Sequence, residues 1–170
     1  MKKIIFITGA SGVGKTTLVE KLKEKYLKNS AYIFLHFDDI GVPSFEEMIE
    51  GFGSEENWQK TMLHQWVEKL LQAYQDKKTI IFEGQVNLKF IQEAFMQHHF
   101  SNYQIILLDC DEKTMKKRLL EHRNQPELWN EDMKNWLHYL RNQAQEFKIP
   151  ILNSSEISAE KLAEIFKNYL

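Results

Sequence analysis

The apolar run Ile4-Ile5-Phe6-Ile7 breaks off at Gly9-Ala10-Ser11-Gly12-Val13-Gly14-Lys15-Thr16. No other stretch constrains the chain as tightly. The octet fits G-x-x-x-x-G-K-[ST] at every fixed position, between a strand-like run and a helix-like one. Glycines at 9, 12 and 14 let the backbone curl without Cβ clashes, so that successive N–H groups face one concavity. The helix that starts near Lys15 adds the positive end of its dipole. Such a nest suits a polyphosphate. Lys15 is then a point charge for the β- and γ-phosphates, and the Thr16 hydroxyl is a ligand for Mg²⁺. Gly9, Ser11, Gly12, Val13 and Gly14, with Lys15 and Thr16, are the candidate nucleotide contacts. Thr17 lies within reach of the α-phosphate.

Strand-like runs recur at Lys3–Thr8, Ala31–His36, Thr79–Glu83, Gln104–Asp109 and Pro150–Leu152. The segments between them have helical periodicity. This alternation predicts an α/β chain with a parallel sheet covered on both faces. The longest predicted helix is Glu55–Gln75, where Trp58, Met62, Leu63, Trp66, Val67, Leu70, Leu71 and Tyr74 share one face. Ser44-x-x-Glu47 reads as a capping box ahead of it. A helix follows Asp111, and the last one, Ala159–Tyr169, has Ser158 as its N-cap. The 170 residues contain no repeat, low-complexity tract or linker, and read as one domain.

A net charge of −2 gives no basic track for nucleic acid. No apolar stretch is long enough to span a membrane. The N-terminal run is too short for the core of a signal peptide, so the expected location is the cytoplasm, with no nucleic-acid or membrane partner. The lone Cys110 fits a reducing compartment and reads as a small buried residue. The six histidines include no pair at metal-ligand spacing, and His98-His99 reads as a helix end.

Two further stretches carry a resemblance. Leu108-Asp109-Cys110-Asp111-Glu112 leads into Arg118-Leu119-Leu120-Glu121-His122-Arg123, and Ile149-Pro150-Ile151-Leu152-Asn153-Ser154-Ser155 precedes the last helix. With the glycine loop, these resemble the adenylate-kinase-like branch of small P-loop kinases, which includes nucleoside monophosphate kinases, shikimate kinase, gluconate kinase and chloramphenicol phosphotransferase. The resemblance runs nearly end to end. It implies a three-layer fold with strand order 2-3-1-4-5, ATP and Mg²⁺ as cofactors, and a mobile lid over about 118–141. It also implies an adenine-side loop around Ser154.

All three arginines, Arg118, Arg123 and Arg141, fall in the lid region, and guanidinium forks clamp phosphoryl oxygens well. The resemblance points to Arg118 for the adenine face and Arg123 for the phosphates, with Arg141 on the second arm of the lid. One of Asp38 and Asp39, after the second strand, would orient or deprotonate an acceptor hydroxyl. Asp38 is preferred, and the other would cap the turn. Glu83 would hold a Mg²⁺-bound water, although the family more often has Asp there. Asp109 reads as structural.

The acceptor side is expected over 41–77, with Gln85 and Asn87 as amide contacts. That segment carries Trp58, Trp66, Phe45, Phe52, Tyr74 and His64 but no arginine, and Lys60 is the one cation in its middle. The tryptophans read as core at helical spacing. Members of the branch with a phosphorylated or carboxylated acceptor grip it here with arginine. The expected acceptor is therefore a neutral hydroxyl compound such as a nucleoside, sugar or antibiotic. The alternatives are a nucleoside monophosphate kinase that uses lysines, and an ATPase or nucleotide-dependent switch with no acceptor. Composition does not distinguish a monomer from a dimer.

Overall fold

The computed structural model describes residues 2–74, 76 and 78–170. Five parallel strands form one sheet in the order β2-β3-β1-β4-β5, the order the resemblance implies. They are β1 (Lys3–Thr8), β2 (Tyr32–His36), β3 (Thr79–Gly84), β4 (Tyr103–Asp109) and β5 (Ile151–Asn153). β1 lies at the centre because both of its faces are apolar. Ile4, Ile5, Phe6 and Ile7 have no exposed surface. Ile4 and Phe6 join one core with Phe82, Trp66 and Phe95, while Ile5 and Ile7 join the opposite core with Leu18, Leu22 and Phe166. Each such side chain contributes about 1.5–3 kcal/mol on burial.

Among the described residues the α-helices are α1 (Lys15–Tyr26), α2 (Phe45–Phe52), α3 (Glu55–Gln72), α4 (Leu88–Gln97), α5 (Glu112–Lys117), α6 (Glu131–Glu146) and α7 (Ala159–Phe166). Local chemistry sets several starts. Ser44 and Glu47 form the capping box that opens α2, Asp111 caps α5 by accepting from Thr114 N–H at 2.7 Å, and Ser158 accepts from Lys161 N–H. α3 ends at Gln72 rather than 75, because Ala73 caps it; the predicted terminus Gln75 is outside the described residues. α7 tightens to a 3₁₀ turn over Lys167–Tyr169. His98 caps the end of α4, and Cys110 is buried, with its thiol pushed up to about 11 by desolvation. Among the described residues, no helix is long and apolar enough to cross a membrane.

Because the strands are parallel, their carboxyl ends share one edge, where open α/β sheets bind ligands. Register sharpens this. His36 pairs with Glu83, and Thr8 with Gly84, so the ends of β2, β3 and β1 lie side by side. The Thr8 hydroxyl donates to Val86 C=O at 2.6 Å and accepts from Val86 N–H at 3.1 Å. That pair ties the start of the glycine loop to the turn after β3.

Candidate active site

The loop after β1 has the backbone a phosphate nest needs. Gly9 passes so close to β4 that a Cβ there would lie 2.3 Å from Leu108 C=O, and Gly14 enters α1 with φ +98°. An L side chain is excluded by contact at the first and strained at the second. Lys15 folds back over the loop, and its Nζ donates to Gly9 C=O (2.9 Å) and Ala10 C=O (3.1 Å). Its ammonium is pulled down to about 8, first by desolvation and then by Arg123, while Glu83 and Asp38 act in the opposite direction.

A cavity of about 420 Å³ opens on this loop. Its walls include Gly12 to Leu18, Arg118, His122, Arg123 and Ser154. Arg118 stands on a π-helical turn over Arg118–His122. Its guanidinium donates to Val13 C=O (3.0 Å), Ser154 Oγ (2.8 Å) and Ser154 C=O (2.8 Å). The buried Ser154 hydroxyl donates to Val13 C=O at 2.7 Å. The loop after β5 is thereby fastened to the glycine loop. Arg118 and Arg123 thus reach the nucleotide-sized cavity, but Arg141 does not. It grips Asp109 through Nε–Oδ2 (2.7 Å) and NH2–Oδ1 (3.1 Å) and donates to Cys110 C=O. Asp109 is its structural anchor, as expected for that carboxylate.

Glu83 is almost wholly buried at the end of β3, and the Thr16 hydroxyl lies 3.4 Å from its Oε1. His36 is a neighbour that sequence reasoning missed. Its Nδ1 is 2.6 Å from Glu83 Oε1, and its Nε2 is 3.2 Å from Lys23 Nζ. An ammonium only donates, so Nε2 accepts and Nδ1 carries the proton to Glu83. The carboxylate is thus held by an imidazole N–H on one side and faces Thr16 on the other. The missed signal was that His36 ends β2 and Glu83 lies one residue before the end of β3, and adjacency of those strands puts them in register.

The two aspartates after β2 separate. Asp39 Oδ2 accepts from His36 N–H at 3.2 Å and so holds the turn. Asp38 lines a second cavity of about 770 Å³. Its carboxyl is raised above the ordinary Asp value by desolvation, then by the charges of Glu83 and Asp39, against Lys15. Trp58, Gln59, Gln85 and Asn87 line the same cavity. Trp66 does not; it is core, with Nε1–H donating to Phe37 C=O at 2.9 Å. Gln85 accepts from the Ser11 hydroxyl at 2.9 Å. Asn87 is spent on neighbours: it caps Lys89 N–H and donates to Tyr139 Oη. The far wall is α6, with Asp132, Asn135, Trp136 and Tyr139, none of which sequence reasoning placed here.

A family model described as an AAA domain matches residues 5–137. The chain belongs to the AAA domain family. Among solved structures, this AAA domain resembles a shikimate kinase from Acinetobacter baumannii in complex with shikimate. The TM-score is 0.63 at 17% identity, over 99% of this chain and 93% of that one. It also resembles a gluconokinase from Sinorhizobium meliloti 1021, with a TM-score of 0.67 at 17% identity over 98% and 95%. A third likeness is to the tunicamycin resistance protein of Deinococcus radiodurans, with a TM-score of 0.67 at 14% identity over 99% and 95%. The AAA domain thus has the small P-loop kinase fold. No curated protein matches it significantly.

Proposed function

We propose that the chain is an ATP-dependent phosphotransferase acting on a hydroxyl of a small acceptor that bears no phosphate or carboxylate. The observation that carries this reading is the pair of cavities, one floored by the phosphate nest with Lys15 in its wall and one walled by aromatic and polar side chains with Asp38 in its wall, and these two residues are near enough to act on each other's charge. The kinase names of the solved structures above support it by fold. A pure ATPase or switch has no use for the second cavity, and a nucleoside monophosphate kinase needs cations in it.

The residues present fit ATP and Mg²⁺. The nest would take the phosphates, Thr16 would ligate the metal, and Glu83, whose Oε1 lies 3.4 Å from the Thr16 hydroxyl, would hold a metal-bound water. When bound, ATP·Mg²⁺ supplies the phosphoryl group and neutralises its charge. In the reaction, the acceptor oxygen forms the new bond to the γ-phosphorus, and the bond to the β–γ bridging oxygen breaks to release ADP. Asp38 receives the hydroxyl proton. Lys15, Arg118 and Arg123 stabilise the oxygens that carry charge. Arg141 acts from outside this group, by fixing α6 to the end of β4. The 118–141 segment covers the site and limits hydrolysis.

The first test is ADP release with Mg·ATP against pooled nucleoside monophosphates and pooled hydroxyl metabolites lacking phosphate. Stimulation by the second pool is expected. Stimulation by the monophosphates alone would make the acceptor a nucleotide. The pH dependence is a second check. In the free enzyme, Lys15 loses its proton near pH 8. The kcat/KM for ATP is therefore expected to fall as pH passes about 8. The alkaline limb of kcat lies higher, because bound phosphate favours the charged lysine. A flat kcat/KM profile between pH 7 and 9.5 would remove Lys15 from phosphate binding.

A further inference from the structure

We propose that the acceptor carries an ammonium group beside its hydroxyl, as an amino sugar, aminocyclitol or amino alcohol does. This rests on the phosphotransferase reading above and narrows the class of its acceptor. The 770 Å³ cavity is lined by four carboxylates, Asp38, Glu55, Glu56 and Asp132, and by no lysine or arginine among the described residues. They converge from three places: the turn after β2, the first turn of α3 and the first turn of α6. The whole chain differs from neutrality by only −2, so four carboxylates without a lining cation is a local excess.

Glu55, Glu56 and Asp132 are exposed in first helical turns, where the helix dipole favours them, and their shared sign with Asp38 repels an anionic acceptor and attracts a cationic one. Two of the carboxylates are answered from within the chain, Asp38 by the charge of Lys15 and Glu56 by a direct ion pair. Lys60 Nζ lies 2.8 Å from Glu56 and 4.4 Å from the centre of the Phe90 ring, which also lines the cavity. The rim therefore already holds one ammonium between a carboxylate and an aromatic face. Glu55 and Asp132 have no such cation among the described residues, and Trp58 and Trp136 supply further aromatic faces beside them. Carboxylates with aromatic walls recognise an alkylammonium by charge and by attraction to the ring quadrupole. Asp38 is reserved for the reacting hydroxyl, so the ammonium falls to Glu55 and Asp132.

The test compares three pools: amino sugars with aminocyclitol antibiotics, the same compounds N-acetylated, and sugar acids. Each is measured by ADP release with Mg·ATP, and by calorimetric binding to the protein loaded with a non-hydrolysable ATP analogue. The amine pool is expected to stimulate ADP release, and N-acetylation to lower kcat/KM at least tenfold. Glu55→Gln with Asp132→Asn should raise KM for the amine at least tenfold, with retained binding of the ATP analogue as the check on folding. Each single substitution is measured beside the double one. Equal or better use of the acetylated or acidic pools overturns the proposal, as does an absence of amine binding. Amine binding that depends on Glu55 and Asp132 without any ADP release upholds the charge assignment and sinks the phosphotransferase reading instead.

Discussion

Lys15→Ala is expected to eliminate acceptor-dependent ADP production, a loss of at least about a thousandfold or roughly 4 kcal/mol of transition-state stabilisation. The fold should survive. In the free protein the ammonium rests on the Gly9 and Ala10 carbonyls of the glycine loop itself, so its bonds substitute for a ligand rather than holding the core together. Its position is costly, because desolvation pulls its pKa from 10.5 to about 8. The unfolded chain therefore binds this proton more tightly, and the contribution of Lys15 to stability rises with pH between about 8 and 10.5. Below pH 8 the folded protein carries the full cost of the buried charge, and alanine removes it. The melting temperature of Lys15→Ala at pH 7 should equal or exceed that of the parent. A folded variant with undiminished ADP production would end the phosphate-loop mechanism.

Asp38→Asn should lower turnover by about 10²–10⁴, the range for loss of a general base, while ATP affinity changes only a few-fold. Asp38 lines the acceptor cavity and its carboxyl is raised, which moves a base toward the working pH. Asp39→Asn gives the contrasting result. Its carboxylate accepts from the backbone N–H of His36, an acceptor role that the Asn amide oxygen can keep, so the change costs at most about 1 kcal/mol of stability and little turnover. Measuring kcat and urea midpoints for both variants separates the roles. Wild-type turnover in Asp38→Asn would remove it from the chemistry.

Features built from neighbouring residues were the ones open to sequence reading. The buried β1 run, the glycine nest, the Ser44–Glu47 box and the Ser158 cap each depend on spacings within a few residues. The strand order came through resemblance, since an apolar strand does not name its neighbour. The acceptor wall was out of reach for a related reason. Asp132, Trp136 and Tyr139 follow Asp38 by about a hundred residues and share a cavity with it only because α6 packs back on β4 and α4. Arg141 shows the same limit. A guanidinium near the end of a lid suits a phosphate or a carboxylate equally, and here the carboxylate of Asp109 takes both its prongs. His36 depended on a register between two strands that are 47 positions apart in the chain.

The Ser11–Gln85 hydrogen bond joins the phosphate loop to the acceptor wall, and Gln85 in turn accepts, through its backbone carbonyl, from Gln59. A ligand that shifts one side of this bridge perturbs the other. By thermodynamic reciprocity, whatever factor ATP adds to acceptor affinity, the acceptor adds to ATP affinity. Ser11→Ala, by cutting the bridge, is expected to bring that shared factor towards one, read as ATP-analogue dissociation constants with and without acceptor.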